Sequence, residues 1–415
     1  MHVTNCRLCL TGELSEPKIS FPPTALANEF VDDPAVIQDL FPLEVCVCKN
    51  CGHYQLNESV DSSRLFKNYV FVSGTSPINV EHFRQYAEDM INTYKFKAND
   101  KVLDIASNDG TLLKHFKDLG LTILGIDPAE NIVKIANENG ITTISEFFTD
   151  GYADIMLAKY GQFDLITAAN VFAHVTDLVD FTKGVKKLLA PNGVFSFEVS
   201  YFMDVCNKTL FDTIYHEHVD YHTITPLINF FKKYDLEIFD VKKINTHGGS
   251  IRVFVKLLND TTFNRYETRV SFNISSTRLS MTAASEVIIK NKVNKLQKKI
   301  NDLGTKLKER LSAIKADGKS ISIYGMPAKA TTLLYGFNID PTIIDCVFED
   351  APLKIGKFTP GKHIPVVASS ELYDRKPDYT LILSWNFAES IMVNHKKYLD
   401  NGGHFIVPLP ELLEY

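Results

Sequence analysis

The sequence predicts an α/β protein, with two doubly wound units of parallel sheet behind a small N-terminal metal knuckle. Three observations predict it. Two C-x-x-C pairs, CRLC at 6–9 and CKNC at 48–51, open the chain. Apolar strands then alternate with helices between 101 and 199, and a second alternation runs from 321 to 409. Strands separated by helices of crossover length imply parallel sheets with right-handed connections.

Composition sets the outer bounds. The chain has 415 residues, of which 45% are hydrophobic and 23% charged, as in ordinary globular proteins and unlike disordered ones. No apolar run approaches the roughly 18 residues that a membrane helix needs. The net charge of -6 argues against nucleic acid as a partner. The seven cysteines are odd in number, and Met1–Leu10 holds no apolar stretch of signal-peptide length. A reducing, cytoplasmic setting without disulfides is expected.

The elements follow in order. Five cysteines fall in the first 51 residues. Cys6, Cys9, Cys48 and Cys51 supply the four thiolates of a closed tetrahedral zinc site. Cys46 is a spare that could replace Cys48, and His53 reads as a surface residue. The stretch between the pairs, with Pro22, Pro23 and Pro34, reads as loop. A helix is expected from Asn79 to Phe96. KVLDIA (101–106) reads as a strand, NDGTLLKHFKDLG (108–120) as a helix, and LTILGID (121–127) as a second strand followed by a helix through Ala136. FDLITAAN (163–170) and GVFSFEV (193–199) are further strands, and 237–244 and 250–257 make an antiparallel pair at the sheet edge. One long helix is expected over 280–315. Its stripe of Ile289, Val293, Leu296, Ile300, Leu303, Leu307, Leu311 and Ile314 is assigned to the chain's own core rather than to a coiled-coil seam, and Gly304 is its weak point. ISIYG (321–325), IIDCVFED (343–350), DYTLILSW (378–385) and GHFIVPL (403–409) are strands of the second sheet.

The loop after the first central strand carries chemistry. Asp104, Ala106, Asn108, Asp109 and Gly110 follow or end that strand, and Asp127 ends the next, where an acid can hold ribose hydroxyls. The G-x-G-x-x-G of a pyrophosphate loop is absent. Asp104 and Asp109 would repel a pyrophosphate but attract a sulfonium or an ammonium group. S-adenosylmethionine therefore fits better than NAD. The bland alternative is a turn that uses Asn and Asp for positive φ. In the second α/β unit, Lys329 follows a turn with a single glycine and could meet a phosphate as a point charge.

FDTIYHEHVDYH (211–222) packs Tyr215, His216, Glu217, His218, Tyr221 and His222 into eight residues. One reading is a metal site, with His218 and His222 on one face of a helix. The other is proton abstraction from carbon by a histidine, with Tyr215 or Glu217 orienting it or stabilising an enolate oxygen.

CRLC, CKNC, VLDIASNDGTLL, GIDPAENI, NVFAHVTD, FDTIYHEHVDYH, HGGSIRVFV, YGMPAKATTLL, PGKHIPV and ILSWNF stand here in the order in which a known family carries them. The chain resembles the zinc-containing sugar C-methyltransferases, which act on nucleotide-linked 4-keto-deoxysugars. The resemblance implies a zinc-binding module over 1–66, a central Rossmann-like class I methyltransferase domain over 67–260, and a C-terminal Rossmann-like α/β domain over 261–415 that helps hold the nucleotide-sugar. It implies that His218 is the catalytic base, with Tyr215, Glu217, His174 and Tyr69 around it. It puts Asp104, Ala106, Ser107, Asn108, Asp109, Gly110, Asp127, Pro128 and Asn170 on the cofactor and adds Lys329, Asn170, Tyr221, His247 and Arg252 toward the substrate. Ala106 departs from the family's glycine, and Tyr69–Phe71 departs from its pair of tyrosines. The implied reaction moves a methyl from S-adenosylmethionine to the carbon beside the keto group, taken as C3, with a structural zinc and a monomer or weak homo-oligomer. An inactive zinc- and nucleotide-binding interaction protein and an NAD-dependent dehydratase or epimerase are the alternatives. The YHEH run and the missing dinucleotide glycines speak against them.

Overall fold

The computed structural model describes residues 1–67, 69–265 and 269–415. The N-terminal part holds strands β1 (Ile19–Thr24), β2 (Phe41–Val47) and β3 (Tyr54–Leu56). The central part contributes β4 (Lys101–Ile105), β5 (Thr122–Asp127), β6 (Thr143–Ser145), β7 (Phe163–Ala169), β8 (Leu189–Ser200), β9 (Asp220–Tyr221), β10 (Leu236–Ile244) and β11 (Ser250–Leu257). The last part adds β12 (Ile321–Tyr324), β13 (Val347–Glu349), β14 (Val366–Ala368), β15 (Tyr379–Ile382), β16 (His404–Val407) and β17 (Leu413–Glu414).

The central sheet has the order β10-β11-β8-β7-β4-β5-β6, with β10 and β11 antiparallel at one edge as expected. After Lys101 at its start, strand β4 is apolar on both faces apart from Asp104, as a parallel strand covered on two sides must be. The C-terminal sheet runs β14-β13-β12-β15-β16-β17 and is parallel except for β17. Its chain order reverses between β13 and β15 on either side of β12, which opens a crevice at the strand ends.

Two expectations need correction. The segment between the cysteine pairs is not all loop, because β1 and β2 pair across it from Ile19↔Val45. Pro22 and Pro23 are tolerated because β1 is an edge strand. The N-terminal sheet has the order β1-β2-β3-β9, so its last strand comes from the YHEH region. The long helix is two helices, Arg269–Ser285 and Ile289–Ala316, joined by a 3₁₀ turn at Glu286–Ile288. Glu286 leaves the helical path there, and its carboxylate caps the helix Ile224–Lys233 by accepting the Ile224 and Thr225 N–H groups at 2.6 and 2.8 Å.

The stripe from Val293 to Ile314 is buried in a core shared by all three parts of the chain. The Phe337 ring packs against Gly304, so that glycine gives room for a close approach. Phe211 stacks on Phe21 at 6.0 Å and meets Phe337 edge-on at 5.7 Å, joining the N-terminal sheet, the YHEH segment and the C-terminal unit. Among the described residues no helix is long and apolar enough to cross a membrane.

Candidate active site

The cysteine knuckle comes first in the chain. The Sγ atoms of Cys6, Cys9, Cys48 and Cys51 all lie within 4.8 Å of one another, with Cys6–Cys51 and Cys9–Cys48 at 3.6 Å. Four sulfurs on a tetrahedral zinc stand about 3.8 Å apart, so the set fits the ion. Backbone N–H groups of Cys9, Asn50 and Cys51 point at the Cys6 and Cys48 sulfurs from 3.4–3.5 Å. Such donors offset thiolate charge. Cys46 lies on β2 outside the cluster. His53 is not a surface residue: it is buried, and its Nε2 meets Asp220 Oδ1 at 2.7 Å.

The cofactor loop is a tight turn. Ala106, Asn108 and Gly110 have φ of 53°, 51° and 80°, and the helix Thr111–Asp118 starts directly after them. Ala106 holds a left-handed backbone that glycine would adopt without strain. The Asp127 carboxylate accepts the Asn108 and Ala129 N–H groups, both at 2.9 Å, which flank it with the loop and with Pro128. Ser107 Oγ is buried with no hydrogen-bond partner among the described residues. That orphan donor, the acid at the end of β5 and the helix start suit a polar nucleoside-bearing cofactor. Asp104 turns inward instead and accepts from Thr167 Oγ1 at 2.6 Å, and burial pushes its carboxyl up to about 7. Residues 69–75 lie over the loop: Asn108 Oδ1 accepts from Ser73 N, and Asp109 Oδ2 from Gly74 N, each at 2.8 Å. Asn170 follows β7 with φ of 60°, its N–H bonded to Glu198 O.

Residues 215–222 are turn and extended chain, not helix, so His218 and His222 do not share a helical face. Among the described residues the cysteines are the metal-competent cluster. His218 Nδ1 lies 2.8 Å from Thr213 O. A carbonyl only accepts, so Nδ1 carries the hydrogen and Nε2 presents its lone pair. Tyr215 Oη donates to that Nε2 at 3.0 Å. His174 faces His218 with ring centroids 4.9 Å apart. Burial and the neighbouring His174 hold His218 well below the ordinary histidine value, and burial holds His174 at about 4. Both imidazoles are therefore neutral at pH 7.

Glu217 does not bond to His218. Its carboxylate accepts from Asn28 Nδ2 at 2.6 Å and from Tyr69 Oη at 3.1 Å, and burial pushes it up to about 7. Asn131 in turn holds the Tyr69 backbone from both sides. Asn28, far away in the sequence, carried no motif that could have marked it.

The expected substrate residues divide. His247, with φ of 53°, has its pKa held at about 4 by burial, with the Lys329 ammonium nearby acting in the same direction. Lys329 Nζ is 3.3 Å from Asp212 Oδ2 and 5.0 Å from the Trp385 ring centroid. Tyr221 is buried in β9 against Phe202. Arg252 is buried and fully engaged by Glu198, Asp89 and the face of Tyr86, which leaves no free edge toward the cleft. Lys354 was not marked by the sequence. It donates to Met326 O at 2.9 Å and acts electrostatically on Glu217.

This fold and these sites define a methyltransferase that uses S-adenosylmethionine and carries a zinc-binding module. Residues 6–66 match a zinc binding domain family, 80–241 a methyltransferase domain, and 245–410 a C-methyltransferase C-terminal domain. C-methyltransferase NovU of Streptomyces niveus is 31% identical over 411 residues, 99% of this chain and 96% of that protein. The chain belongs to this C-methyltransferase family. A ubiquinone biosynthesis O-methyltransferase of Actinobacillus pleuropneumoniae is 30% identical over 145 residues, 32% of this chain and 55% of that protein. Among solved structures, an S-adenosylmethionine-dependent methyltransferase from Clostridium acetobutylicum is 17% identical, covering 43% of this chain and 92% of that one with a TM-score of 0.35.

Proposed function

We propose that the chain methylates the carbon beside the keto group, C3, of a nucleotide-linked 4-keto-deoxysugar, with His218 as the base. The observation that carries this is the fixed tautomer of His218, with Nδ1–H on Thr213 O and Nε2 left as the acceptor that takes the Tyr215 hydroxyl; Tyr215 turns from it to the substrate oxygen for the lone pair to act. Bound S-adenosylmethionine supplies an electrophilic methyl group. The protein's own task is to make a carbon nucleophile. Nε2 takes the proton from the carbon beside the ketone, and the electron pair moves onto the oxygen as an enolate. Tyr215 Oη or the His174 ring donates to that oxygen. Glu217 holds Tyr69 at the edge of the cleft. Asp127 and the Ser107–Gly110 turn hold the cofactor. His247 lines the side from which the sugar enters, and the C-terminal α/β unit forms the wall that takes its nucleotide.

The test is solvent exchange. Wild type given a nucleotide-linked 4-keto-deoxysugar and S-adenosylhomocysteine should exchange deuterium into the sugar carbon. His218→Ala should lose that exchange and about 10²–10⁴ of kcat, while its affinity for S-adenosylhomocysteine stays. Exchange at the wild-type rate in the variant moves the base elsewhere, with His174 and Glu217 the next groups to examine.

A further inference from the structure

Three runs of sequence far apart in the chain meet at one carboxylate. Asp212 is the middle residue of the 3₁₀ turn Phe211–Thr213 and is fully buried. Its Oδ2 accepts from Trp385 Nε1 at 2.7 Å and pairs with Lys329 Nζ at 3.3 Å. Its Oδ1 finds no hydrogen-bond partner among the described residues. The Lys329 ammonium also lies over the Trp385 ring. Two residues on, Ile214 O accepts from Thr332 Oγ1 at 2.5 Å, in the first turn of the helix Ala330–Gly336. Residues that follow β12 and β15 thus hold both ends of Asp212–Ile214. Between them stands Thr213, whose carbonyl takes the Nδ1 hydrogen of His218.

We propose that Asp212 is a positioning residue for the base, and that the C-terminal unit sets the tautomer and aim of His218 through Lys329 and Trp385. The physical argument is one of rigidity. A 3₁₀ turn of three residues has few internal bonds to fix the direction of its last carbonyl. A buried carboxylate with a single engaged oxygen depends on its cation and its indole donor. If that grip is lost, the turn relaxes, Thr213 O swings away and Nδ1 loses its acceptor. Neutral imidazole then also populates the Nε2–H tautomer, which has no lone pair facing the cleft. On this reading Lys329 is spent on Asp212 rather than on a phosphate. The inference rests on His218 being the base, and its test separates the two claims.

The full chain labelled with ¹⁵N-histidine reports the His218 tautomer directly. Trp385→Phe keeps the ring and removes the donor; Asp212→Ala removes the carboxylate; Lys329→Arg keeps the charge. Trp385→Phe should mix the His218 tautomers and lower kcat about 10- to 100-fold, with KM and S-adenosylhomocysteine affinity little changed, as loss of one charged hydrogen bond would do. Asp212→Ala should do the same or more, and Lys329→Arg should retain the wild-type tautomer and most of kcat. If kcat falls in Trp385→Phe while the His218 signal stays at Nδ1–H, the positioning role is overturned. If KM rises instead and the tautomer holds, these residues bind substrate and the role is likewise overturned. A mixed tautomer with undiminished methyl transfer upholds the positioning and removes His218 as the base.

Discussion

Asp104 shows how burial and chemistry compete at a single residue. Its carboxyl has one hydrogen-bond donor, Thr167 Oγ1, and lies inside the sheet near Asp127. Folded, it keeps its proton to about pH 7, whereas an unfolded aspartate releases it near 4. The native state therefore binds more protons than the unfolded state between those values, and this residue's contribution to stability falls as pH rises through that window. Asp104→Asn removes the titration and keeps an acceptor for Thr167. The unfolding free energy of the ligand-free variant, relative to wild type, should become more favourable from pH 5 to pH 8, by at most about 1.4 kcal/mol per pH unit of the window. A difference that stays flat with pH would show that Asp104 is ionised throughout. The sequence marked this residue as a cofactor ligand because it ends a strand. It could not show that the side chain turns inward, because that depends on Thr167 in the neighbouring strand β7. Tyr69 was marked through resemblance alone, and Glu217 through the crowded run at 211–222. Their shared hydrogen bond, and the part of Asn28 in it, needed the fold.

At the scale of elements, the cysteine knuckle was plain in the spacing, and the sheet around it was not. Paired C-x-x-C runs are short-range signals, so they survive without tertiary context. β9 is two residues long and exists because β3 offers it a partner. Its consequence is that the zinc module pairs directly with the chain that follows His218. Gly12 is the knuckle's sharpest point of control. A Cβ there would stand 2.2 Å from Cys48 Sγ and 3.0 Å from Cys9 Sγ. Gly12→Ala should therefore spread the sulfurs, so that metal analysis finds well under one zinc per chain where wild type holds about one. The loss should also loosen β3 and β9, read as faster amide exchange at Tyr54–Leu56 and Asp220–Tyr221. A variant that keeps stoichiometric zinc and wild-type exchange would mean that the knuckle yields without cost. The broken helix teaches the same lesson from the other side. Periodicity carried through 286–288, but Glu286 was needed to cap a helix elsewhere.

Across the whole molecule, parallel strands read well because they are apolar on both faces, whereas the joint between the parts left no sequence pattern. Phe21, Phe211 and Phe337 come from three separate stretches of chain and pack in one core with the helix Ile289–Ala316. A core shared in this way should make the chain unfold as one unit. Phe211 is the central ring and has no exposed surface. Phe211→Ala should cost about 3–5 kcal/mol, since it removes a large ring from a packed site. Calorimetry should then resolve two transitions where wild type has one, because the ring that couples the parts is gone. S-adenosylhomocysteine should raise the melting temperature of one transition only, that of the sheet containing Asp104 and Asp127, because a ligand stabilises the unit that binds it. Methyl transfer should fall further than cofactor affinity, since Phe211 begins the turn that carries Thr213 O to His218. If Phe211→Ala melts in a single transition at the wild-type temperature, the three parts are held together by contacts outside this core, and the loss of Thr213 alignment would have to be sought in the Lys329–Trp385 grip alone.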